Sequence, residues 1–260
     1  MVPNIVKSTI SGLFAATLQG LFPQYCCLCG LRSHRQQPLC CACESDLPRN
    51  LSCCWRCALP LGQSHDESVW GPGHPFPPRV CGQCLQAPRS FDQVLAPWLY
   101  DEQFAFLLHR WKFHGDRRLS ALLAHLWLSQ WPPSGAVPDI MLPIPLHWSK
   151  LLRRGFNQSE CLAMELRRQS RSLKNVKIDT HLLQRHRATS AQSGLAAHQR
   201  RANVRGAFTA RRRCDNLRIA IVDDVLTTGA TAAAVATTLR DAGASHIEIW
   251  CLARTPEPRN

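Results

Sequence analysis

One stretch near the C-terminal end, residues 217–231 (LRIAIVDDVLTTGAT), constrains the possible fold more than any other part of the chain. Five of the six residues 217–222 are apolar, which is too continuous for a strand with one face in water. We therefore predict a strand covered on both faces, as in a parallel sheet flanked by helices. Apolar residues at helical spacing follow residue 231, so the pattern predicts a helix directly after the strand.

The turn between this strand and helix carries the residue types of a phosphate-and-sugar site. Two carboxylates, Asp223 and Asp224, close the apolar run and could accept hydrogen bonds from vicinal ribose hydroxyls or hold Mg²⁺ through water. Gly229 allows close approach of the backbone to an anion, and free N–H groups at a helix start bind phosphate oxygens. The alternative is an ordinary buried strand followed by an N-capped helix. The predicted phosphate loop comprises Thr227, Thr228, Gly229, Ala230 and Thr231.

These residues carry a resemblance to a known family. The sequence VDDVLTTGAT at 222–231 resembles the signature with which type I phosphoribosyltransferases bind phosphoribosyl pyrophosphate (PRPP), and the whole chain resembles the ComF/GntX family of competence and DNA-utilisation proteins. The resemblance implies an α/β fold of the type I phosphoribosyltransferase kind, with a mainly parallel sheet flanked by helices and a small N-terminal zinc module. It also implies that Asp223 and Asp224 hold the ribose of PRPP with Mg²⁺, while 227–231 wrap its 5′-phosphate.

Cysteine usage indicates metal binding. The chain has 14 cysteines and no convincing export signal, which favours metal sites over disulfides. Two C-x-x-C turns together complete a tetrahedral S₄ site typical of structural Zn²⁺, so we expect one or two zinc ions. The resemblance includes this module, in the segments PLCCACESDLP, CWRCALPLG and CGQCLQAPRSFD. The predicted ligands are the four pairs Cys26/Cys29, Cys40/Cys43, Cys54/Cys57 and Cys81/Cys84.

The spacing leaves the pairing of these turns open. Sequential pairing, first with second and third with fourth, is the simplest, but an interleaved cross-brace fits the same spacings. Neighbouring cysteines could also replace a proposed ligand, and loop histidines are further candidates. These alternative ligands are Cys27, Cys41, Cys53, His34, His65 and His74.

These patterns divide the chain into an amphipathic helix at 1–25, a cysteine-rich zinc module at 26–90 and a larger domain at 91–255, which the resemblance implies is phosphoribosyltransferase-like. Apolar residues in the first region recur at helical spacing, unlike the continuous apolar run of a secretory signal. Nowhere does the sequence contain the ~20 consecutive apolar residues of a membrane span. We therefore expect a cytoplasmic protein.

Positive charge is concentrated in one segment. Residues 146–213 contain 16 Lys or Arg and 3 Asp or Glu, a net charge of +13 that equals the net charge of the whole chain. Such a surface indicates an acidic partner, either a polyphosphate substrate or nucleic acid; a solvated basic surface is the alternative.

Two motifs supply candidate cations for a pyrophosphate group. The RRGFNQ motif of the family is matched at 153–158, after a predicted strand at 139–144, and in phosphoribosyltransferases the loop after this kind of strand receives the pyrophosphate of PRPP. The resemblance thus assigns this basic loop, with Lys150, Arg153 and Arg154, to pyrophosphate. Lys112, in a KFHGD segment that resembles the family's KFxGD, is either a further pyrophosphate contact or a cap at the C-terminus of a helix.

A third basic stretch, 189–208, matches the family pattern QxGLxxxxRxxNVxGAF. It is predicted to be a lid over the site, or else Arg200, Arg201 and Arg205 contact single-stranded DNA. The family resemblance implies a protein that binds PRPP with Mg²⁺ and acts in DNA uptake, natural competence or use of external DNA, with competence or DNA-processing proteins as partners. The alternative is an active phosphoribosyltransferase of nucleotide or nucleobase metabolism. No residue pattern specifies its acceptor.

Overall fold

The computed structural model describes residues 24–62, 79–87, 89–113, 115–130, 137–186 and 206–256. Its strands are β1 Gln93–Leu95, β2 Trp98–Leu99, β3 Ile140–Pro143, β4 Lys177–Ile178, β5 Leu183–Arg185, β6 Phe208–Ala210, β7 Arg218–Leu226 and β8 His246–Arg254. Its helices are α1 Cys41–Ser45, α2 Gly82–Gln86, α3 Glu102–Phe113, α4 Arg118–Gln130, α5 Trp148–Arg154, α6 Gln158–Gln169 and α7 Ala230–Asp241.

The main sheet has six strands in the order β1-β8-β7-β3-β4, with β2 also paired to β8, and its pairings are parallel. Strands β5 and β6 form a separate antiparallel pair. Residues 219–222 in β7 and 249–253 in β8 are buried, as expected for central strands covered on both faces. The predicted α/β fold with a mainly parallel sheet is confirmed.

The central strand β7 is longer than the predicted run of apolar residues. It continues through Asp223 and Asp224 to Leu226, because β8 is equally long and offers backbone partners along this stretch. Asp223 lies opposite Cys251 in the register, and Leu226 lies opposite Arg254. The two carboxylates therefore lie within the last part of the strand, where the paired backbone fixes their positions.

Two helices in the middle of the chain carry candidate cations of the site. Helix α3, which carries Lys112, buries an apolar face formed by Phe104, Leu107, Leu108 and Trp111. The segment carrying Lys150, Arg153 and Arg154 was predicted to be a loop, and this is wrong. It forms the seven-residue helix α5, which ends at Gly155 with a φ of 75°.

Two compact units divide the chain between Leu47 and Pro48. The second pair of C-x-x-C turns thus belongs to the same unit as the sheet, whereas the predicted boundary lay at residue 90. Residues 1–23, the main part of the predicted N-terminal helix, lie outside the described residues. Within the described ranges, none of the helices has the length and apolar character needed to cross a bilayer.

Candidate functional site

The centre of the candidate site is the acid pair in β7. Asp223 accepts a hydrogen bond from the backbone N–H of Asp224 at 2.9 Å and lies 3.4 Å from the Ser159 hydroxyl. Burial, and secondly the neighbouring charge of Asp224, raise the pKa of Asp223 to about 7. Two adjacent carboxylates, one of which is costly to ionise, form a site that a bound cation or hydrogen bonds from hydroxyl groups would stabilise.

One cation is already in contact with this pair. The Lys112 ammonium, in the last turn of α3, lies 2.7 Å from a carboxylate oxygen of Asp224, and both side chains are largely buried. The sequence places Lys112 more than a hundred residues from Asp224, and the packing of α3 brings the two together. Lys112 was predicted either to contact pyrophosphate or to cap the C-terminus of a helix, and its ammonium is paired with Asp224.

Further cations surround the acid pair from α5 and β5. Burial lowers the pKa of Lys150, and the charges of Arg185, Arg154 and Arg153 lower it further, while Asp224 opposes them. The pKa of Arg154 is lowered mainly by burial, and both carboxylates of the pair oppose this shift. The charges of Lys150, Arg153, Arg154 and the acid pair thus act on one another, while the role of these cations toward pyrophosphate stays a prediction.

Sequence reasoning missed Arg185. Burial lowers the pKa of its guanidinium, and the charge of Asp223 opposes this shift. Arg185 ends the short strand β5, outside every recognised motif, so only its position in the basic segment could have indicated it. Its guanidinium lies 5.4 Å from the centre of the Phe208 ring. Arg185 therefore joins the cluster from β5, a strand that no sequence motif had marked as part of the site.

The start of helix α6 lies next to the acid pair, since Ser159 is in its first turn. Asn157 caps this helix by accepting a hydrogen bond from the backbone N–H of Ser159 at 3.1 Å. Gln158, which is 1% exposed, accepts a 2.8 Å hydrogen bond from Arg154. This contact fixes the guanidinium of Arg154, and the RRGFNQ motif thereby acts as one local unit.

The predicted phosphate loop follows β7 directly. Gly229 adopts a left-handed backbone with φ 74°, and helix α7 begins at the next residue. A Cβ at this glycine would meet just one atom within 4 Å, a side-chain carbon of Leu226 at 3.9 Å. The positive φ, rather than crowding within the protein, is what requires glycine here.

The two sets of cysteines form separate tetrads. Cys26, Cys29, Cys40 and Cys43 make one, and Cys54, Cys57, Cys81 and Cys84 make the other, with the sulfurs of each tetrad within 4.8 Å of one another. The sequential pairing is therefore the one that the structure adopts. Among the described candidates, neither tetrad includes Cys27, Cys41, Cys53 or His34. His65 and His74 lie outside the described residues.

Both tetrads have the chemistry of a structural metal site. Sulfurs about 2.3 Å from one tetrahedral zinc ion lie about 3.8 Å apart, and the separations are 3.8 Å for Cys29 and Cys40 and 3.6 Å for Cys57 and Cys81. The backbone N–H of Cys81 donates to the sulfur of Cys54 at 3.2 Å. Hydrogen bonds, first of all from the Cys57 thiol, lower the pKa of Cys54 to about 4.

Known proteins resemble this chain over most of its length. DNA utilization protein YhgH of Salmonella typhi is 32% identical over 222 residues, covering 84% of this chain and 90% of that protein. The protein of the same name in Escherichia coli K12 is 31% identical over the same shares. Competence protein F of Haemophilus influenzae is 32% identical over 182 residues, 67% of this chain and 78% of that one. The chain belongs to the ComF/GntX family.

Other comparisons add less. No family model matches the chain. A purine phosphoribosyltransferase from Pyrococcus horikoshii is similar with a TM-score of 0.27 and 16% identity, covering 62% of this chain and 77% of that one. This TM-score and this identity are too low to support an inference about function. Membership of the ComF/GntX family therefore rests on the proteins that are similar in sequence.

Three predicted residues of this ComF/GntX protein lie outside the described residues: Arg200, Arg201 and Arg205, the predicted lid or nucleic-acid face. The neighbouring described arginines are partly engaged: Arg212 donates to Asp179 at 3.0 Å, and Arg213 pairs with Asp215 at 2.5 Å.

The raised pKa of Asp223 predicts a pH-dependent stability. Between pH 3.8 and about 7 the folded protein retains a proton on Asp223 that the unfolded chain loses. This group therefore makes stability fall as pH rises through that window. Asp223→Asn removes the effect, so the variant should unfold at a higher temperature than wild type at pH 8, with the two midpoints converging near pH 4. Thermal unfolding across pH measures this.

The control for that experiment is Asp215→Asn. The Arg213 guanidinium holds the pKa of the exposed Asp215 below its usual value, so this substitution should not stabilise at pH 8. A midpoint difference between Asp223→Asn and wild type that stays constant from pH 4 to pH 8 would contradict the prediction.

Proposed function

We propose that this ComF/GntX protein binds PRPP, or a related phosphorylated sugar or nucleotide, together with Mg²⁺. The observation that supports it best is the juxtaposition of the half-buried acid pair in β7 with a left-handed Gly229 at the start of the 12-residue helix α7. An acid pair accepts from ribose hydroxyls and binds a hydrated Mg²⁺, while a helix start of this length attracts a phosphate.

Each part of the ligand has a proposed partner. Asp223 and Asp224 would hold the ribose hydroxyls and Mg²⁺, and the 5′-phosphate would bind at 227–231. The pyrophosphate would face the cations of α5, where Arg153 and Arg154 offer planar forks that match phosphate oxygens. Lys112, paired with Asp224 in the free protein, would turn to the pyrophosphate when Mg²⁺ takes over the carboxylate.

Calorimetric titration of PRPP with Mg²⁺ into the full chain tests this proposal. Saturable binding that requires Mg²⁺ is the expected result, because the complexed ligand offers Mg²⁺ and ribose hydroxyls to the acid pair and phosphate oxygens to the basic cluster. Inorganic pyrophosphate with Mg²⁺ is the control ligand, and it should bind more weakly since it lacks the ribose and the 5′-phosphate. Absence of PRPP binding at millimolar concentration would refute the proposal.

A substitution at Gly229 tests the phosphate loop. Gly229→Val should weaken PRPP binding at least ~10-fold, because a side chain here strains a backbone of φ 74° and occupies space next to the bound phosphate. Titration of the variant measures the affinity, and thermal unfolding reports the strain separately. Gly229→Asn is the matched control, since Asn tolerates the left-handed conformation better. Full affinity in the Asn variant would show that backbone strain, not close approach of the anion, explains the effect.

An active phosphoribosyltransferase remains the alternative within the same site. The chemistry would be displacement of pyrophosphate at the anomeric carbon, driven by positioning of the reactants and by stabilisation of the leaving group by Lys150, Arg153 and Arg154. Release of pyrophosphate in the presence of a nucleobase would establish this enzyme. If PRPP binds but no nucleobase releases pyrophosphate, the site serves as a ligand sensor.

A role in DNA use is proposed from the names of the relatives, which are a DNA utilization protein and a competence protein. Single-stranded DNA would bind the basic segment at 146–213, and competence or DNA-processing proteins would be further partners. Charge reversal of Arg200, Arg201 and Arg205 to Glu should weaken binding of an oligonucleotide at least ~10-fold and reduce its salt dependence. Binding that is insensitive to salt in wild type would contradict this assignment.

The metal in both tetrads is proposed to be Zn²⁺ in a structural role. Four sulfur ligands at these separations match tetrahedral zinc, and a site with four protein ligands has no open position for catalysis. Reduced thiols persist in the cytoplasm, which we propose as the location. Elemental analysis of the purified protein should give close to two zinc ions per chain.

A further inference from the structure

We propose that Arg254 couples the metal site formed by Cys54, Cys57, Cys81 and Cys84 (the second tetrad) to the loop at 227–231, so that metal occupancy governs how well that loop binds an anion. The proposal rests on the proposed phosphate role of this loop. Arg254 is the last residue of β8 and is 7% exposed. It lies in no recognised motif.

The hydrogen bonds of Arg254 join the two sites directly. Its Nε donates to the backbone carbonyl of Cys57 at 3.2 Å, and its Nη1 donates to the carbonyl of Leu226 at 2.9 Å. The same nitrogen donates to the carbonyl of Thr227, the first residue of the loop, and to that of Thr255 at 2.8 Å. One buried guanidinium therefore contacts a metal ligand and the entry to the phosphate loop.

The carbonyl of Cys57 has a position that depends on the metal. Cys57 lies in a tight turn in which the N–H of Ala58 donates to the carbonyl of Cys54 at 2.8 Å, and Ala58 has a positive φ of 52°. A turn with a non-glycine residue in this conformation is held by its surroundings, and a metal bound to the sulfurs of Cys54 and Cys57 is such a constraint. Loss of the metal frees the Cys57 carbonyl, and with it one acceptor of Arg254.

The loop end of this connection is equally specific. Arg254 fixes the carbonyl groups of Leu226 and Thr227 where β7 ends, three residues before Gly229, the residue that precedes α7. The guanidinium thus sets the direction in which the chain leaves the sheet and presents its N–H groups to an anion. Arg254 is a positioning residue: it acts on a ligand through the loop.

Linkage gives the proposal a measurable form. If metal favours the binding conformation of the loop, then an anion bound by the loop must raise the affinity for metal by the same factor, because coupling between two sites is reciprocal. The experiment uses the full chain with Cys29→Ser, so that the second tetrad alone keeps all four of its thiols. Zinc affinity is measured by equilibrium competition with a chromogenic chelator, and we expect PRPP with Mg²⁺ to raise it about 5-fold or more, within the usual range of such couplings.

Arg254→Lys should abolish that gain in zinc affinity, since an ammonium cannot reach acceptors on both sides with the geometry of a guanidinium. A second variant keeps Arg254 and carries Asp223→Asn with Asp224→Asn; it should fold without binding PRPP, and its zinc affinity should not respond to PRPP. A protein with Arg254 intact that binds PRPP, yet holds zinc with unchanged affinity, would overturn the coupling even if the Lys variant failed to fold.

A measurement without ligand separates this inference from the proposed function. In zinc-loaded Arg254→Lys, amide hydrogen exchange should accelerate at least ~5-fold both at 53–59 and at 226–231, while helix α4 keeps its protection. Acceleration at one segment alone would show a local role and overturn the coupling. If PRPP does not bind wild type, the proposed function fails, and the exchange result alone decides the role of Arg254.

Discussion

Replacing both carboxylates, Asp223→Asn with Asp224→Asn, should reduce the affinity for PRPP and Mg²⁺ about 100-fold or more while the fold is retained. Hydrogen bonds to charged groups contribute about 1.5–3 kcal/mol each, and two such groups would be lost together with the ligand of the cation. The fold should survive because burial and the neighbouring charge of Asp224 already disfavour the charge of Asp223, as its raised pKa shows. Calorimetric titration measures the affinity.

The matched control removes two carboxylates elsewhere. Asp215 and Asp241 are exposed, and replacing both by Asn makes the same change in net charge away from β7. This control should bind PRPP as wild type does, because surface ion pairs such as that of Asp215 contribute little. Equal loss of affinity in both double variants would indicate a general effect of charge, and unchanged affinity in the Asp223/Asp224 variant would show that the acid pair is not the site.

The parts of this site that the sequence predicts are those encoded by local pattern. A continuous apolar run, two acids and a glycine-containing turn lie within fifteen consecutive residues, so the strand, the turn and helix α7 follow from residues that are neighbours in the chain. The cap by Asn157 and the positive φ of Gly155 are equally local features, because each depends on residues that are neighbours in the chain.

Contacts between distant segments were not predictable in this way. The pair Lys112–Asp224 and the hydrogen bonds of Arg254 depend on how helices and strands pack, and a single sequence contains no signal for either. Helix α5 was missed for a different reason. Its exposed Trp148 and Leu152 face away from the core, so the periodic apolar face that normally reveals a helix is absent from its seven residues.

The cysteine spacings illustrate the same limit. They predict tetrahedral S₄ sites, since each C-x-x-C turn directs two sulfurs to one point, but the choice between sequential and interleaved pairing depends on the path of the chain between turns. The structure shows the sequential pairing. It also shows that the second tetrad lies in the unit of the sheet, where all four of its cysteines are buried.

That burial changes the expected effect of metal loss. A zinc module at 26–90 would unfold on its own and leave the sheet intact. The second tetrad instead packs in one core with residues of β7 and α7 such as Ile219 and Val235. The buried Asn50 adds hydrogen bonds from its side chain to the carbonyl groups of Ala58 at 2.9 Å and Ala96 at 3.0 Å, which join the turn of this tetrad to the segment between β1 and β2.

We therefore expect Cys57→Ser to destabilise the unit that contains the sheet, whereas Cys29→Ser leaves that unit folded. Structural zinc sites supply about 10–16 kcal/mol in small modules, which is comparable with the whole stability of a domain, about 5–15 kcal/mol. Even a loss of about 5 kcal/mol lowers the unfolding midpoint of a unit this size by roughly 10–20 °C. Thermal unfolding, followed by the circular dichroism of the sheet and helices, measures the midpoint, and zinc analysis reports which site has lost its metal.

The two variants are matched because each removes one sulfur from one tetrad, so their difference isolates the location of the site. Cys29 is exposed and belongs to the unit that ends at Leu47, while Cys57 is buried among residues of the sheet unit. Equal, small shifts in both variants would mean that the second tetrad does not support the sheet, and a collapse in both would mean that the two units unfold as one. A large shift in Cys57→Ser alone would establish that this metal site is part of the core on which β7 and its acid pair depend.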